Sequence, residues 1–197
     1  MNRRERKKEE TRKNIISCAV RLFKEKSFQE TLVDEISENA DVSKGTLYNY
    51  FPDKESILVD YFQLIIADYG KRIKESLMVK NVIEVKLNKL LNLMNEIFAN
   101  DLELTTVYFK YRMQKFFDTD PFDNSRRSGL ENLVLAIIKD AQDNYELRSD
   151  IPALVIARAF LILTMDFFIL NLARKGSNET ENTNRQLLNL FLDGARP

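Results

Sequence analysis

The sequence of 197 residues predicts an all-α protein, with a three-helix head at the N-terminus and a larger helical bundle after it. Two observations support this fold class. The chain has 5 glycines and 4 prolines but many leucine, glutamate and lysine residues, which favour helices. Apolar residues also recur at helical spacing in most segments, whereas the alternation typical of a strand is hard to find.

The first helix is expected over residues 10–26, where Ile15, Leu22 and Phe23 share one face. Residues 1–9 precede it and are rich in arginine and lysine. This segment is interpreted as a mobile basic arm that lies along phosphates or enters a minor groove. A solubilising tail is the alternative, and the sequence does not choose between the two.

A short second helix is expected to begin at Thr31, whose hydroxyl can accept a free backbone amide at the helix start. Val33, Ile36 and Ala40 then form a narrow apolar stripe. Asp41 follows at a turn position that needs a left-handed backbone, which aspartate tolerates better than most residues. The pattern predicts the first half of a helix-turn-helix.

Ser43 is expected to cap the second half of this unit. Leu47 and Phe51 are four residues apart and stack on one face, which must be the buried one. At 100° per residue, Gly45 and Asn49 point almost directly away from that pair. A short helix with a buried pair and a polar outer face fits the DNA major groove.

Lys44 lies in the first turn of this helix, where recognition helices present base-reading side chains. Pro52 ends the helix and Asp53 begins the next one. Lys54 is therefore expected beside a helix N-terminus, a natural site for a phosphate.

Residues from about 11 to 62 resemble the DNA-binding domain of the TetR/AcrR family of bacterial transcriptional repressors. The resemblance is carried by the runs AVRLFKEKSF, TLVDEI and VSKGTLYNYFPDKESIL. It implies that the groove-facing residues are Lys44, Gly45 and Asn49. It implies that the phosphate contacts are made by Val33, Ser43, Thr46, Tyr48, Tyr50 and Lys54.

The sequence departs from the family pattern at a few positions. Ser27 and Asp41 stand where glycine is common, and Leu32 and Val33 replace hydroxyl residues. Val33 is therefore expected to reach a phosphate through its amide alone. Taken singly, Tyr48 and Tyr50 are also compatible with ordinary surface aromatics, and Lys44 and Lys54 with solvated charges.

The composition argues against an enzyme. The chain has no histidine, and its one cysteine, Cys18, falls on an apolar helix face. No glycine-rich phosphate loop or serine elbow is present, so no cofactor and no metal are expected. Because no secretory segment is apparent, a cytoplasmic location is expected. The net charge of zero does not oppose DNA binding, since basic residues can be localised.

The DNA-binding domain is expected over 10–53. The remaining chain is interpreted as a connecting helix over 54–75, followed by a ligand-binding and dimerisation domain over 76–197. The helix expected over 151–174 is apolar on nearly every side, but Arg158 and Asp166 interrupt it and argue against a membrane span. Such a helix must pack against other protein surface on all sides. A homodimer through 151–174 and 179–192 is expected, and burial within one subunit is the alternative.

A cluster of aromatic and methionine residues suggests a pocket for an apolar or aromatic effector. The candidate ligand residues are Phe98, Tyr108, Tyr111, Met113, Phe117, Phe160, Met165 and Asp166. Plain core packing is the alternative for each of them. Asp166 is expected to anchor a cationic ligand or, equally well, to pair with Arg158 or Arg174.

The sequence is thus interpreted as a dimeric repressor that a small molecule releases from a palindromic operator. An effector-independent DNA-binding or helical interaction module is the alternative.

Overall fold

The computed structural model describes residues 2–77, 82–118, 129–173 and 180–197, with backbone alone at 72–77, 115–118, 166–167, 169–173 and 180–184. Within these ranges every regular element is an α-helix, which agrees with the predicted fold class. The helices are α1 Arg3–Lys26, α2 Val33–Asn39, α3 Lys44–Tyr50, α4 Lys54–Leu77, α5 Ile83–Ala99, α6 Leu102–Asp118, α7 Gly129–Asp143, α8 Ala153–Ala173 and α9 Thr180–Ala195.

The chain packs as two units, and the boundaries fall within α4 and on either side of α6. The head unit comprises residues 1–64 with 101–121, and the C-terminal unit comprises residues 65–100 with 122–197. Helix α6 therefore packs with the head, although the sequence suggested that it belongs to the ligand-binding domain. The functional domain boundaries stay a prediction, because packing alone does not test them.

The first helix begins at Arg3 rather than near residue 10. The Asn2 side chain accepts a hydrogen bond from the Glu5 amide, and the Glu5 carboxylate accepts one from the Asn2 amide, each at 2.9 Å. This reciprocal cap satisfies two donors that a helix start would leave free. The basic segment is therefore helical and not an extended arm.

The core of the head is built from large apolar side chains that are almost fully buried. Phe23 and Phe28 have ring centroids 4.8 Å apart, and Phe62 packs on Tyr108 of α6 at 4.6 Å. Glu103 of α6 accepts a hydrogen bond from the Phe28 amide at 3.0 Å. Helix α6 thus supports the loop between α1 and α2 as well as the core.

In the C-terminal unit, α7 packs on α8, and α9 packs on both α5 and α8. Lys86 is buried on α5 and forms an ion pair with Asp140 of α7. Arg158 of α8 pairs with Glu131 of α7 at 3.0 Å, a partner that sequence reasoning missed. The side chain of Asp166 and all of Arg174 lie outside the described residues, so the suggested pairing of Asp166 stays untested.

One face of α8 carries apolar side chains that stay exposed in the part of the chain that the structure describes. Val155 is 55% exposed and Ile162 is 63% exposed, and Ala159 between them is also exposed. The opposite face buries Ile156 and Phe160. Among the described residues, no helix combines the length and apolar character needed to cross a bilayer.

Candidate nucleic-acid interface

The start of α2 is capped differently from the expectation. Thr31 is buried, and its hydroxyl donates a hydrogen bond to the Ser27 carbonyl at 2.8 Å, so the predicted Thr31 cap was wrong. Leu32 occupies the cap position, and its amide donates to the Glu35 carboxylate at 2.9 Å. An ion pair with Lys26, followed by the Leu32 bond, lowers the pKa of Glu35.

The turn between α2 and α3 has the predicted left-handed residue. Asp41 has φ 53°, and the next amide, that of Val42, donates to the Ser37 carbonyl at 3.0 Å. The Asn14 side chain of α1 donates to the Ala40 carbonyl at 2.9 Å, which ties the turn to the first helix. Ser27 also has a positive φ of 82°, in keeping with the glycine that is common there.

Helix α3 has the predicted cap and the predicted orientation. The Ser43 hydroxyl accepts a hydrogen bond from the Thr46 amide at 3.0 Å. Leu47 and Phe51 are each 1% exposed, whereas Gly45 and Asn49 lie on the exposed side. The helix therefore presents a polar face outward while its apolar pair anchors it in the head.

Gly45 is not required by the packing of the head itself. A Cβ at this position would meet nothing closer than the Ser43 Oγ at 3.9 Å, an ordinary van der Waals distance. The backbone at this point is consequently bare towards solvent. A bare helix backbone lets a groove floor or a phosphate come close.

Lys44 is not a free cation in this structure. Its Nζ lies 2.6 Å from the Asp34 Oδ1 of α2, and both side chains are more than half exposed. The hydrogen bond to Asp34 raises the pKa of Lys44. A contact of Lys44 with a base must therefore replace its ion pair with Asp34. The sequence did not reveal this ion pair.

Lys54 binds backbone carbonyls of the head. Its Nζ donates to the Phe28 carbonyl at 2.6 Å and to the Thr31 carbonyl at 3.0 Å, and it lies 4.3 Å from the centroid of the Phe28 ring. Burial lowers the pKa of the ammonium. Lys54 thus fastens the loop between α1 and α2, while its phosphate contact stays a prediction.

Asp53 caps α4 as predicted, because its Oδ1 accepts a hydrogen bond from the Ser56 amide at 2.7 Å. The Tyr111 hydroxyl of α6 donates to the same carboxylate at 2.9 Å. Burial and then this bond raise the pKa of Tyr111 to about 12. The structure therefore gives Tyr111, a candidate ligand residue, a direct contact with the start of α4.

The other proposed phosphate contacts surround the same surface. Tyr48 is 45% exposed, and Thr46, Tyr50 and Val33 are partly exposed. The Val33 amide lies in the first turn of α2, where backbone donors have no acceptor within the helix. The candidate DNA-binding residues thus cluster on α2, α3 and the start of α4, within one unit.

The candidate ligand residues are divided between the two units. Tyr108 is buried in the head against Phe62, and Met113 is 43% exposed. Phe98 and Phe160 are buried in the C-terminal unit and contact the rings of Phe168 and Phe191, respectively. Of the remaining candidates, Met165 is partly exposed, and the side chains of Phe117 and Asp166 lie outside the described residues.

Comparison with known proteins agrees with this geometry. Residues 15–61, which span the helix-turn-helix, match the family described as bacterial regulatory proteins, tetR family. The fatty acid metabolism regulator protein of Bacillus subtilis is 25% identical over 152 residues, which cover 77% of this chain and 78% of the relative. Residues 15–61 of the chain therefore form a DNA-binding domain of the TetR family.

Solved structures of TetR-family proteins extend the likeness to both units. A TetR-family transcriptional repressor of Thermus thermophilus, FadR, in complex with lauroyl-CoA, superposes with a TM-score of 0.75 at 26% identity, over 93% of this chain and 94% of the other. FadR from Bacillus subtilis, in complex with stearoyl-CoA, has a TM-score of 0.64 at 18% identity, over 92% and 97%, which shows the shared fold. The chain, with its TetR-family domain, is therefore a DNA-binding transcriptional regulator.

Proposed function

We propose that this TetR-family regulator is a homodimeric repressor that leaves a palindromic operator when it binds a fatty acyl-CoA. The observation that carries the choice of ligand is the likeness over nearly the whole chain to the Thermus thermophilus repressor, whose structure contains lauroyl-CoA. The likeness to the Bacillus subtilis fatty acid metabolism regulator supports the same choice.

The proposal assigns base contacts to Lys44, Gly45 and Asn49. Support comes from their exposure on the outer face of α3 and from the open space beside Gly45. Phosphate contacts are assigned to Val33, Ser43, Thr46, Tyr48, Tyr50 and Lys54. Such contacts orient the head on the duplex, whereas contacts with base edges carry the sequence preference.

The proposed dimer uses α8 and α9. Val155, Ala159 and Ile162 are spaced i, i+4 and i+7, so their exposed side chains form one stripe, and Leu190 of α9 is 67% exposed. Contiguous exposed apolar surface favours association, and a twofold axis lets the same stripe cover itself. The twofold axis also places the α3 helices of the two subunits about 34 Å, or one DNA turn, apart.

Release by a ligand requires that the acyl-CoA binds the DNA-incompetent shape more tightly, by about 1–3 kcal/mol or more. An acyl chain needs buried apolar walls, and the C-terminal unit offers Phe98 and Phe160, each 1% exposed. Of the other candidate ligand residues, Met165 and Asp166 belong to the same unit, whereas Tyr108, Tyr111, Met113 and Phe117 lie on α6 in the head and are not assigned to this pocket.

The test begins with a duplex that the full-length protein selects from a random library. Fluorescence anisotropy then measures its affinity for that duplex with lauroyl-CoA, lauric acid or free coenzyme A added. We expect lauroyl-CoA to weaken binding at least tenfold and the two fragments to have little effect. Sedimentation should give a dimer with one selected duplex.

Each part of the proposal can fail separately. Tight binding that none of the three compounds weakens would contradict the acyl-CoA effector and favour the effector-independent alternative. A stable monomer in sedimentation would contradict the dimer. If selection yields no preferred duplex, sequence-specific repression is wrong.

A further inference from the structure

The first two turns of α1 hold charged residues at fixed angular positions, because the reciprocal cap between Asn2 and Glu5 starts the helix at Arg3. Seven of the first thirteen residues are arginine or lysine. In a helix these side chains are separated by 100° per residue. Their distribution around α1 can therefore be compared with that of the acidic residues.

The acidic residues of this segment are all engaged, and they occupy one side of the helix. Glu10 pairs with Arg6 at 3.5 Å, and Glu9 pairs with Lys13 at 3.9 Å. Glu5 is the cap residue. A third cation, Arg12, is also neutralised, because it forms an ion pair with Asp60 of α4. This side of α1 therefore has little net charge.

The opposite side carries four cations, Arg3, Arg4, Lys7 and Lys8. All four are exposed, and within the described part of the chain none of them has an acidic partner. Their positions fall within an arc of roughly 140° around the helix axis. We refer to these four residues as the cationic arc.

The direction of the cationic arc follows from two contacts farther along α1. Asn14 binds the Ala40 carbonyl at 2.9 Å, and the Cys18 Sγ lies 3.3 Å from the Asn39 carbonyl. Both residues have angular positions inside the arc. The arc therefore continues the face of α1 that contacts the turn before α3, with Lys7 roughly 10 Å farther along the axis than Asn14.

We propose that the cationic arc is a second DNA contact, which binds the phosphates flanking each operator half-site without regard to sequence. This inference rests on the proposed DNA-binding function and extends its surface beyond the helix-turn-helix. Clustered cations without acidic partners suit a polyanion, since each neutralised phosphate releases counterions. The arc lacks apolar residues, which a helix that lies on a membrane needs.

The test compares two double variants that lose the same charge. Arg3→Gln with Lys7→Gln removes two cations of the arc, whereas Arg6→Gln with Lys13→Gln removes two cations that are paired with glutamates. Fluorescence anisotropy measures affinity for the selected duplex and for a scrambled duplex over a series of salt concentrations. Circular dichroism checks that both variants keep their helix content.

We expect the arc variant to lower the slope of log affinity against log salt by about 2, or about 0.9 for each phosphate that is no longer neutralised. The decrease in affinity should be equal for the selected and the scrambled duplex, and the paired variant should keep the wild-type slope. Equal slopes for the two variants, or a decrease confined to the selected duplex, would overturn the inference. Failure of the wild-type protein to bind any duplex would instead overturn the proposed function.

Discussion

The head and the C-terminal unit are both helical, but different contacts define them. Helices α2 and α3 have seven residues each, a length that is marginal for an isolated helix. They are held by end contacts, such as the Ser43 cap and the Lys54 bonds to two carbonyls, and by a few buried side chains. Helix α8 has 21 residues, and its inner face is packed by side chains such as Phe160.

This difference separates stability from function in a testable way. In the head, an exposed position such as Gly45 is not required by packing, and the proposed function assigns it to DNA contact. In the C-terminal unit, buried side chains contribute mainly to stability.

Phe160→Ala should lower the free energy of unfolding by about 3–5 kcal/mol, because it leaves a cavity among buried aromatic side chains. Urea denaturation measures this change. Lys139→Ala, at an exposed position of α7, is the control and should stay within about 0.5 kcal/mol of wild type. If Phe160→Ala lowers the free energy of unfolding by less than about 1 kcal/mol, apolar packing does not define this unit.

Gly45→Ala should change stability and DNA affinity in opposite directions. The free energy of unfolding should rise by about 0.5–1 kcal/mol, because alanine favours a helix and its Cβ has room. Affinity for the selected duplex should fall by about 1–3 kcal/mol, as the added methyl group holds the backbone away from the groove.

Gly70→Ala is the matched control for this change, because a Cβ at Gly70 on α4 would have nothing within 4 Å and therefore has room as well. It should give the same gain in stability and leave DNA affinity unchanged. Equal DNA affinities for the two alanine variants would remove Gly45 from the interface.

Lys44→Ala and Tyr48→Phe should separate base reading from phosphate contact. Lys44→Ala should relax the preference at one base position and cost about 1–3 kcal/mol. Tyr48→Phe should weaken binding to all duplexes alike by about 1 kcal/mol, since a phosphate contact carries no base information. Repeating the selection with each variant measures both effects, and a uniform decrease for Lys44→Ala would assign it to a phosphate.

Tyr111→Phe should lower the free energy of unfolding by about 1–2 kcal/mol at pH 7, because the variant cannot form the hydrogen bond to the Asp53 carboxylate. The pKa of Tyr111 is raised to about 12 in the folded head, so wild-type stability from this group is present below about pH 10 and is lost towards pH 12. Urea unfolding of both proteins across that range should show their difference shrinking. A constant difference would contradict the role of this bond.

Sequence reasoning succeeded mainly at features whose partners lie within about four residues. The Ser43 cap, the left-handed Asp41 and the buried Leu47 and Phe51 were all predicted and confirmed. Such features depend on local backbone geometry and helical spacing, which a sequence displays directly. The all-α fold class was confirmed for the same reason.

Sequence reasoning was silent where the partner is distant along the chain, as for Lys54, which binds carbonyls 26 and 23 residues away. It also failed at one local feature, because the Thr31 hydroxyl turned inward to the Ser27 carbonyl, four residues before it, and did not cap α2. The early start of α1 was also missed, although the spacing of Asn2 and Glu5 is the signal that predicts such a cap.

The amino-acid sequence alone determined that the chain is helical, where the reading helix lies and which of its faces is buried, because these properties follow from caps and periodicity. The tertiary structure decided which charges are neutralised. It pairs Lys44 with Asp34, fastens Lys54 to the loop before α2, and leaves the four residues of the cationic arc on α1 without acidic partners among the described residues. Electrostatic partners are set by distances of a few ångströms between side chains, and folding alone brings those side chains together.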